Sequence, residues 1–474
     1  MTEDSRSQVV IVGAGLAGLA AAVALAARGL KVTLLESRPR LGGRASSIVD
    51  RETGQTIDNC QHVAMGCCTN FWHFCETVGC RDLFEPQPAL FFVGPPRTTA
   101  SGKPRPPAIV PFQAGPLPVP AHLALSFARM SWFTLTEKIS LGRALRALAQ
   151  RSEDATDEAF SDWLERQHQS PATIEYFWKV VLVSALSETL ERTSLTQARK
   201  VFVDGFLSNR TGWQVSIPRV PLDEIYGSRI TGWLDQHNVE VRLKAGVARL
   251  VPDGDRISGV VLRTGETIAA EHVIVAAPWY LVAELLPESM AQHESIQRLT
   301  KIETAPIASV HLWFDRPITD LPHAVLIDRL GQWLFNRTSP GDAGRFYYQV
   351  IISAAFDLAS KSEAEVLAQI VRELAAIWPA ARAATLLHAR LITEHKAVFS
   401  PRPGIDELRP VQQTSVPNLQ LAGDWTRTGW PSTMEGAVRS GYFAAENVLR
   451  QLGRAESIVQ PELPTTLLAR WFRS

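Results

Sequence analysis

The groups of this chain whose type and spacing could do chemistry gather near its two ends. Close to the start, Gly13, Gly15 and Gly18 stand in a G-x-G-x-x-G arrangement directly after the apolar run at residues 9–12. In such a turn the first glycine permits the tight bend. The second lets a pyrophosphate approach the backbone, and the third lets helix pack on strand. Ala14, Leu16 and Ala17 fill the rest of the turn, and their N–H groups open a helix toward phosphate. Glu36 lies 18 residues after Gly18, where a carboxylate holds the ribose hydroxyls of an adenosine. Ser37 and Arg38 follow, and then Gly42, Gly43 and Arg44. A second glycine pair followed by arginine suits a second phosphate or the edge of a flavin. Near the other end, Gly423-Asp424 closes an apolar segment, and Thr433 and Met434 begin a helix. The glycine admits a phosphate or ribityl chain, the Asp424 carboxylate accepts from hydroxyls, and the helix dipole faces a developing negative charge. The segment at residues 56–68 (TIDNCQHVAMGCC) carries Asp58, Gln61 and His62. His62 is its only group that titrates near neutrality, and Asp58 its only acid.

These groups need elements to hold them. The β-branched run at 9–12 suits a buried parallel strand. Residues 16–28, rich in alanine and leucine, form a helix with Gly29 as its C′ stop, and 31–35 form a second strand. Residues 69–78 read as a short helix with Phe71, Phe74, Cys75 and Val78 on one face, stopped by Gly79. Proline-rich sequence from 85 to 120 marks an exit from the nucleotide fold near Phe84. Helices at 121–135, 136–151, 156–167 and 175–190 follow, the first strongly apolar. The chain returns at 215–219 and forms a helix at 222–236. A meander of strands comes next, at 239–243, 247–251, 257–262 and 267–270, and then a buried strand at 272–277. Strands at 307–314 and 346–352 and a helix at 362–377 leave the nucleotide fold again, and residues 401–404 open the final return. The fold class is α/β. A discontinuous Rossmann-like domain comprises residues 1–84, 213–283 and 410–455. An inserted α+β substrate domain comprises residues 85–212 and 284–409, and 456–474 form a tail.

Bulk properties exclude some partners. Lysine plus arginine equals aspartate plus glutamate at 48 each, which leaves no basic excess for nucleic acid. The five cysteines all lie between Cys60 and Cys80. Their odd number argues against a disulfide framework, and the lack of a C-x-x-C pair argues against a metal site. The start of the chain is polar, and no apolar run is long enough to cross a bilayer. A cytoplasmic protein is expected, associated peripherally with the inner face of the cell membrane. Residues 121–133 and the Leu-Leu-Ala-Arg-Trp-Phe-Arg sequence at 467–473 are the membrane-facing candidates.

The run from Glu36 to Arg44 is E-x-R-x-x-x-G-G-R, which resembles the flavin-binding signature of the amine oxidase and phytoene desaturase superfamily. Within it, three stretches resemble the squalene-associated branch, the hydroxysqualene dehydroxylases. They are Asp58-Asn59-Cys60-Gln61-His62 with Gly66-Cys67-Cys68-Thr69-Asn70, residues 213–226 (WQVSIPRVPLDEIY), and residues 423–437 (GDWTRTGWPSTMEGA). Cys60 departs from the branch, which often has glycine there. The resemblance implies a GR2-type domain that binds FAD, with the Val247 backbone against adenine. The 423–436 loop has no cysteine, histidine or tyrosine, so the flavin is expected to be held non-covalently. The resemblance further implies reduction of the allylic alcohol hydroxysqualene to squalene for hopanoid synthesis, with electrons from a donor that the sequence does not identify. Hydride would pass to an allylic cation while an acid assists departure of water. His62 is the first candidate for that acid and Asp58 the second. Two alternatives remain open on the residues themselves. One is an isoprenoid or carotenoid desaturase working oxidatively, or another amine-oxidase-type flavoenzyme. The other is a prenyl-binding escort protein that holds no flavin.

Overall fold

A computed structural model describes residues 8–98, 104–152, 156–339, 341 and 344–473. The first seven residues of the expected 1–84 segment and the last of the 456–474 tail lie outside them. Strands β1 (Gln8–Val12), β2 (Lys31–Leu35), β3 (Glu240–Arg242), β4 (His272–Val275) and β5 (Leu419–Leu421) form one parallel sheet in the order β3-β2-β1-β4-β5. Val9 and Ile11 pack on α1 (Leu16–Ala26), α2 (Thr69–Thr77) and the long helix Met434–Gln451. Val10 and Val12 pack on the opposite side, against the three strands at Val247–Asp253, Arg256–Leu262 and Thr267–Ala269. Both faces are covered, so β1 reads as a continuous apolar run and not as an alternating one. For the same reason every residue of α1 is buried. Gly29 and Gly79 end their helices with φ of 78° and 69°, as their positions in the sequence require.

Strand β3 corrects one expectation. Residues 239–243 do not join the meander; they extend the parallel sheet beside β2. The helix expected at 121–135 is also not continuous. Ala121–Leu123 is a single 3-10 turn and Ala124–Ala128 a short helix. Ser126 Oγ turns back to the backbone of Gln113, and Thr134 with Glu137 forms a capping box that starts α3 (Leu135–Gln150). A capping box specifies a new helix start, and it overrides the apolar pattern that runs through it. The helix expected from 156 begins at Phe160, and the one expected to 190 ends at Leu186, where Ser187 takes a left-handed conformation. Around these helices Phe160, Trp163, Trp178 and Phe202 make one aromatic cluster, with Trp178 and Phe202 ring centroids 4.9 Å apart.

The second large sheet has seven strands, and sequence reading found only two of them, Thr304–Phe314 and Phe346–Ser353. Val310, Leu312, Val350 and Ile352 face the helix Glu363–Ile377. The alternate residues Ser309, His311, Trp313 and Gln349 face the nucleotide-binding half. Trp313 Nε1 donates to Gln55 Oε1 at 2.6 Å, and Gln349 Nε2 donates to Ser309 Oγ at 2.7 Å. The sheet therefore carries an apolar face and a polar one, and the polar face covers the functional segment at residues 56–62.

Candidate active site

The glycine turn sits at the carboxyl end of β1, where open parallel sheets place their ligands. Gly13 has φ of 104°, and a Cβ there would lie 2.7 Å from the Ala276 carbonyl oxygen. A Cβ on Gly18 would overlap the Gly13 carbonyl, so α1 can pack this close only with glycine. A Cβ on Gly15 would meet nothing within 4 Å; that open side is where a pyrophosphate could reach the N-terminus of α1. The second glycine pair is layered on the first turn. Gly42 N–H donates to Ala14 O at 2.9 Å, and a Cβ on Gly43 would lie 2.9 Å from Gly15 Cα. Glu36 is buried across the turn. Its carboxylate accepts from Ala14 N–H at 2.9 Å, Arg38 N–H at 2.8 Å and Ser37 Oγ at 3.1 Å. Ala245 N–H donates to Glu36 O at 2.8 Å, so Val247 starts its strand beside the same edge.

The two terminal motifs touch. Arg44 Nη2 meets Asp424 Oδ1 at 2.5 Å, and Arg44 Nη1 donates to Ala397 O at 2.6 Å. Burial alone would depress the Arg44 pKa, but the adjoining Asp424 carboxylate outweighs this and leaves it raised. The second oxygen of Asp424 accepts from Ser432 Oγ. Asp424 thus ties the glycine loops to the C-terminal loop, and its remaining lone pairs are what it can offer to hydroxyls. Thr433 caps the long helix α4 (Met434–Gln451), accepting from Gly436 N–H at 3.1 Å, while Met434 Sδ accepts from Tyr226 OH at 3.3 Å. Sequence reasoning missed the residue that shapes this loop. Arg409 is 1% exposed. Its Nη2 donates to the carbonyls of Asp424 (3.0 Å), Thr426 (2.6 Å) and Trp430 (2.8 Å), and its Nη1 to Asp406 at 2.7 Å. A single arginine in a polar stretch carries no pattern that sets it apart from a surface residue.

The three stretches that carry the dehydroxylase resemblance converge. Ala64 and Met65 pair with Ser216 and Val215, and Leu222 N–H donates to Asp58 Oδ1 at 2.8 Å. Glu435, buried in the first turn of α4, accepts from Phe71 N–H and Asn70 Nδ2, both at 2.8 Å. Glu435 therefore caps α2, a role that its sequence position did not reveal. Asp58 is fully engaged. Besides Leu222 N–H it accepts from Ser47 Oγ at 2.7 Å and meets Arg337 Nη2 at 3.3 Å. Burial raises its carboxyl above the ordinary value, against the pull of Arg337. With both oxygens held, Asp58 anchors this segment. His62 stands differently from the expected acid. Its Nδ1 lies 3.0 Å from Cys60 O, an acceptor only, so Nδ1 carries the hydrogen. Burial lowers the imidazole pKa. At neutral pH the ring is therefore neutral, with Nε2 an acceptor. Gln61 is buried beside it, and its Oε1 has no hydrogen-bond partner among the described residues. Burial also pushes the Cys60 thiol up to about 12, which makes it inert.

Comparison with known proteins decides the family. A family model described as flavin-containing amine oxidoreductase matches residues 16–449. The chain belongs to that family. It is a flavoenzyme, an FAD-dependent oxidoreductase. It is 25% identical over 472 residues to the chloroplastic/chromoplastic 15-cis-phytoene desaturase of an Oncidium hybrid cultivar, covering 95% of this chain and 79% of that one. It is 24% identical over 467 residues to the 15-cis-phytoene desaturase of Synechococcus elongatus, covering 93% and 96%. An oxidoreductase from Methanosarcina mazei has the same fold, with a TM-score of 0.72 at 15% identity and coverage of 92% and 98%. The residues of the flavoenzyme fit its cofactor. The open side of Gly15 and the stacked glycine pair leave room that could cradle a phosphate, Glu36 lies across the same turn where it could hold an adenosine, and Gln61 Oε1 has no partner among the described residues.

Proposed function

We propose that this flavoenzyme reduces the allylic alcohol hydroxysqualene to squalene. The observation that carries the reading is the convergence of the three dehydroxylase-like stretches into one wall, joined through Asp58, Met65, Asn70, Tyr226, Met434 and Glu435. These residues come from distant parts of the chain, yet they share one place beside the flavin cradle. In the reaction the C–O bond breaks, a C–H bond forms and water leaves. FAD, when bound and reduced, would supply the hydride as a two-electron reductant. The protein presents His62 as a neutral ring whose Nε2 can accept the substrate O–H. A neutral imidazole must first take up a proton before it can give one to the leaving hydroxide. The reductive rate should therefore rise as pH falls toward the depressed pKa of His62.

A second reading is favoured by the same ring and by the two phytoene desaturases. A neutral Nε2 is a ready base, and an oxidative desaturase would need a base at this position. In that case activity would level off above the depressed pKa and fall below it. Incubating the reduced enzyme with hydroxysqualene and the oxidised enzyme with phytoene, across pH, separates the two. Squalene from the first and no new double bond in the second supports reduction; the reverse overturns it.

A further inference from the structure

We propose that three segments distant in sequence build one surface that docks on an anionic phospholipid bilayer. Seven of the fourteen large apolar side chains exposed among the described residues lie on two stretches, 117–139 and 467–471. The fold brings these stretches together. Helix α5 (Leu467–Arg473) is folded back on α3, burying Ala469 and setting Phe472 against Ala149, Val203 and Leu207. Trp471, 69% exposed, lies over Arg146 of α3 with 5.8 Å from guanidinium to ring centroid. From Arg146 an i, i+4, i+7, i+11 stripe runs back along α3 through Ile139 to Leu135, which is 73% exposed. Lys138 Nζ donates to Ala128 O and so holds the segment that bears Leu125. The Leu125 side chain reaches to 3.2 Å from a Cβ built on Gly115. Arg210 grips the carbonyls of Gly115 and Leu117, while Asn209 and Ser208 bond to Pro464 and Thr466 just ahead of α5. The contacts close a ring, and Leu135, Ile139, Leu467, Leu468 and Trp471 stay exposed on it.

Charge selects the occupant. Residues 112–151, 205–213 and 464–473 contain eight lysines and arginines and one acid.

 Glu137 is the one acid inside the runs, and its carboxylate is used in the cap of α3. Asp204, at their border, pairs with Lys200 at 2.7 Å. The chain as a whole balances at 48 charges of each sign, so this excess is local. Exposed leucine and tryptophan ringed by lysine and arginine match the acyl boundary and the phosphate layer of an anionic leaflet. A second copy of this chain would bring the same positive charges face to face. The surface does not depend on which apolar substrate is turned over, but it would let one pass from lipid into the protein without crossing water.

The test is co-sedimentation of the flavin-loaded full chain with phosphatidylcholine vesicles and with mixed phosphatidylcholine–phosphatidylglycerol vesicles, at low and high salt. The wild type should pellet with the mixed vesicles at low salt and stay in solution with phosphatidylcholine alone. Two double variants on separate segments, Leu467→Glu with Trp471→Glu and Leu135→Glu with Ile139→Glu, should each weaken partitioning at least ~10-fold. Both should keep the wild-type flavin content and melting temperature, which shows that they fold. Charge reversal at Arg143 and Arg470 should abolish the preference for phosphatidylglycerol. Wild-type binding in all variants overturns the proposal, as does failure of the wild type to bind either vesicle. Sedimentation velocity closes the remaining route: a wild-type dimer that the variants convert to monomer would assign the face to a second copy and overturn the lipid assignment.

Discussion

Replacing Arg409 with methionine tests how the C-terminal loop is held. The guanidinium is 1% exposed and donates to three backbone carbonyls, those of Asp424, Thr426 and Trp430. Methionine preserves much of the side-chain length and the packing on Phe399, whose ring centroid lies 4.8 Å from the guanidinium carbon. It cannot donate. Each carbonyl left without a donor costs about 1–3 kcal/mol when buried, and removal of one partner from a buried charged network costs about 3–5 kcal/mol in all. The three losses share one loop and do not add fully, so about 3–5 kcal/mol is the expected destabilisation. At ~1 °C per kcal/mol for a chain of this size, the melting temperature should fall by roughly 3–5 °C. Because the same loop presents Asp424 to Arg44, FAD should dissociate at least ~10-fold more readily, equivalent to ~1.4 kcal/mol. Scanning calorimetry and flavin absorbance after dilution measure the two effects. Arg409→Lys should recover part of the stability, since an ammonium keeps the charge but not the planar fork. An R409M protein within ~1 kcal/mol of wild type that retains its full flavin content would refute the account of the loop.

Other expectations follow from the same geometry. Glu36→Ala frees the Ala14 and Arg38 N–H groups and removes the acid at the adenosine end, so FAD affinity should fall at least ~10-fold while the fold persists; an unchanged titration of apoprotein with FAD would remove Glu36 from the site. Acid precipitation should release the flavin into the supernatant, and flavin that stays with the pellet would indicate a covalent link. Burial holds His311 at about 3 and His323 at about 4, below the ordinary histidine value of 6.5. As pH falls below 6.5 the unfolded chain takes up protons that the folded chain does not, so this share of stability is present above pH 6.5 and is lost toward acid. The slope is up to ~1.4 kcal/mol per pH unit for each histidine. His311→Gln should flatten the acid limb of urea-melting stability by one such slope, and an unchanged slope would show that His311 is not the group responsible.

The parts of this molecule that were legible in its sequence are those where one element carries its own pattern. The run at 9–12, the spacing of Gly13, Gly15 and Gly18, and the acid at Glu36 report a strand, turn, helix and strand whose rules are local. Gly29 and Gly79 announce helix ends because only a left-handed residue fits there. The seven-stranded sheet was mostly hidden because its strands are paired across long separations and lack alternation. Leu386–Phe399 is an edge strand of mixed charged and apolar residues, and Ile109–Phe112 contains a proline. Residues 121–135 misled because apolar content does not show where Thr134 and Glu137 begin a new helix. The chemistry was legible as residue types and not as states. His62 was found by its position, but its tautomer and lowered pKa come from the Cys60 carbonyl and from burial, neither visible in one dimension. Asp58 and Asp424 were picked as lone acids, whereas their partners Arg337 and Arg44 lie far from them along the chain. Arg409 and Glu435 were overlooked for the same reason.

The most direct test of the central claim is an anaerobic single turnover in heavy water, mixing the fully reduced flavoenzyme with hydroxysqualene and identifying the product by mass spectrometry. Reduction of the allylic alcohol predicts squalene in equal amount to the flavin oxidised, with one deuterium at the carbon that bore the hydroxyl. Flavin that stays reduced and hydroxysqualene recovered unchanged would contradict it.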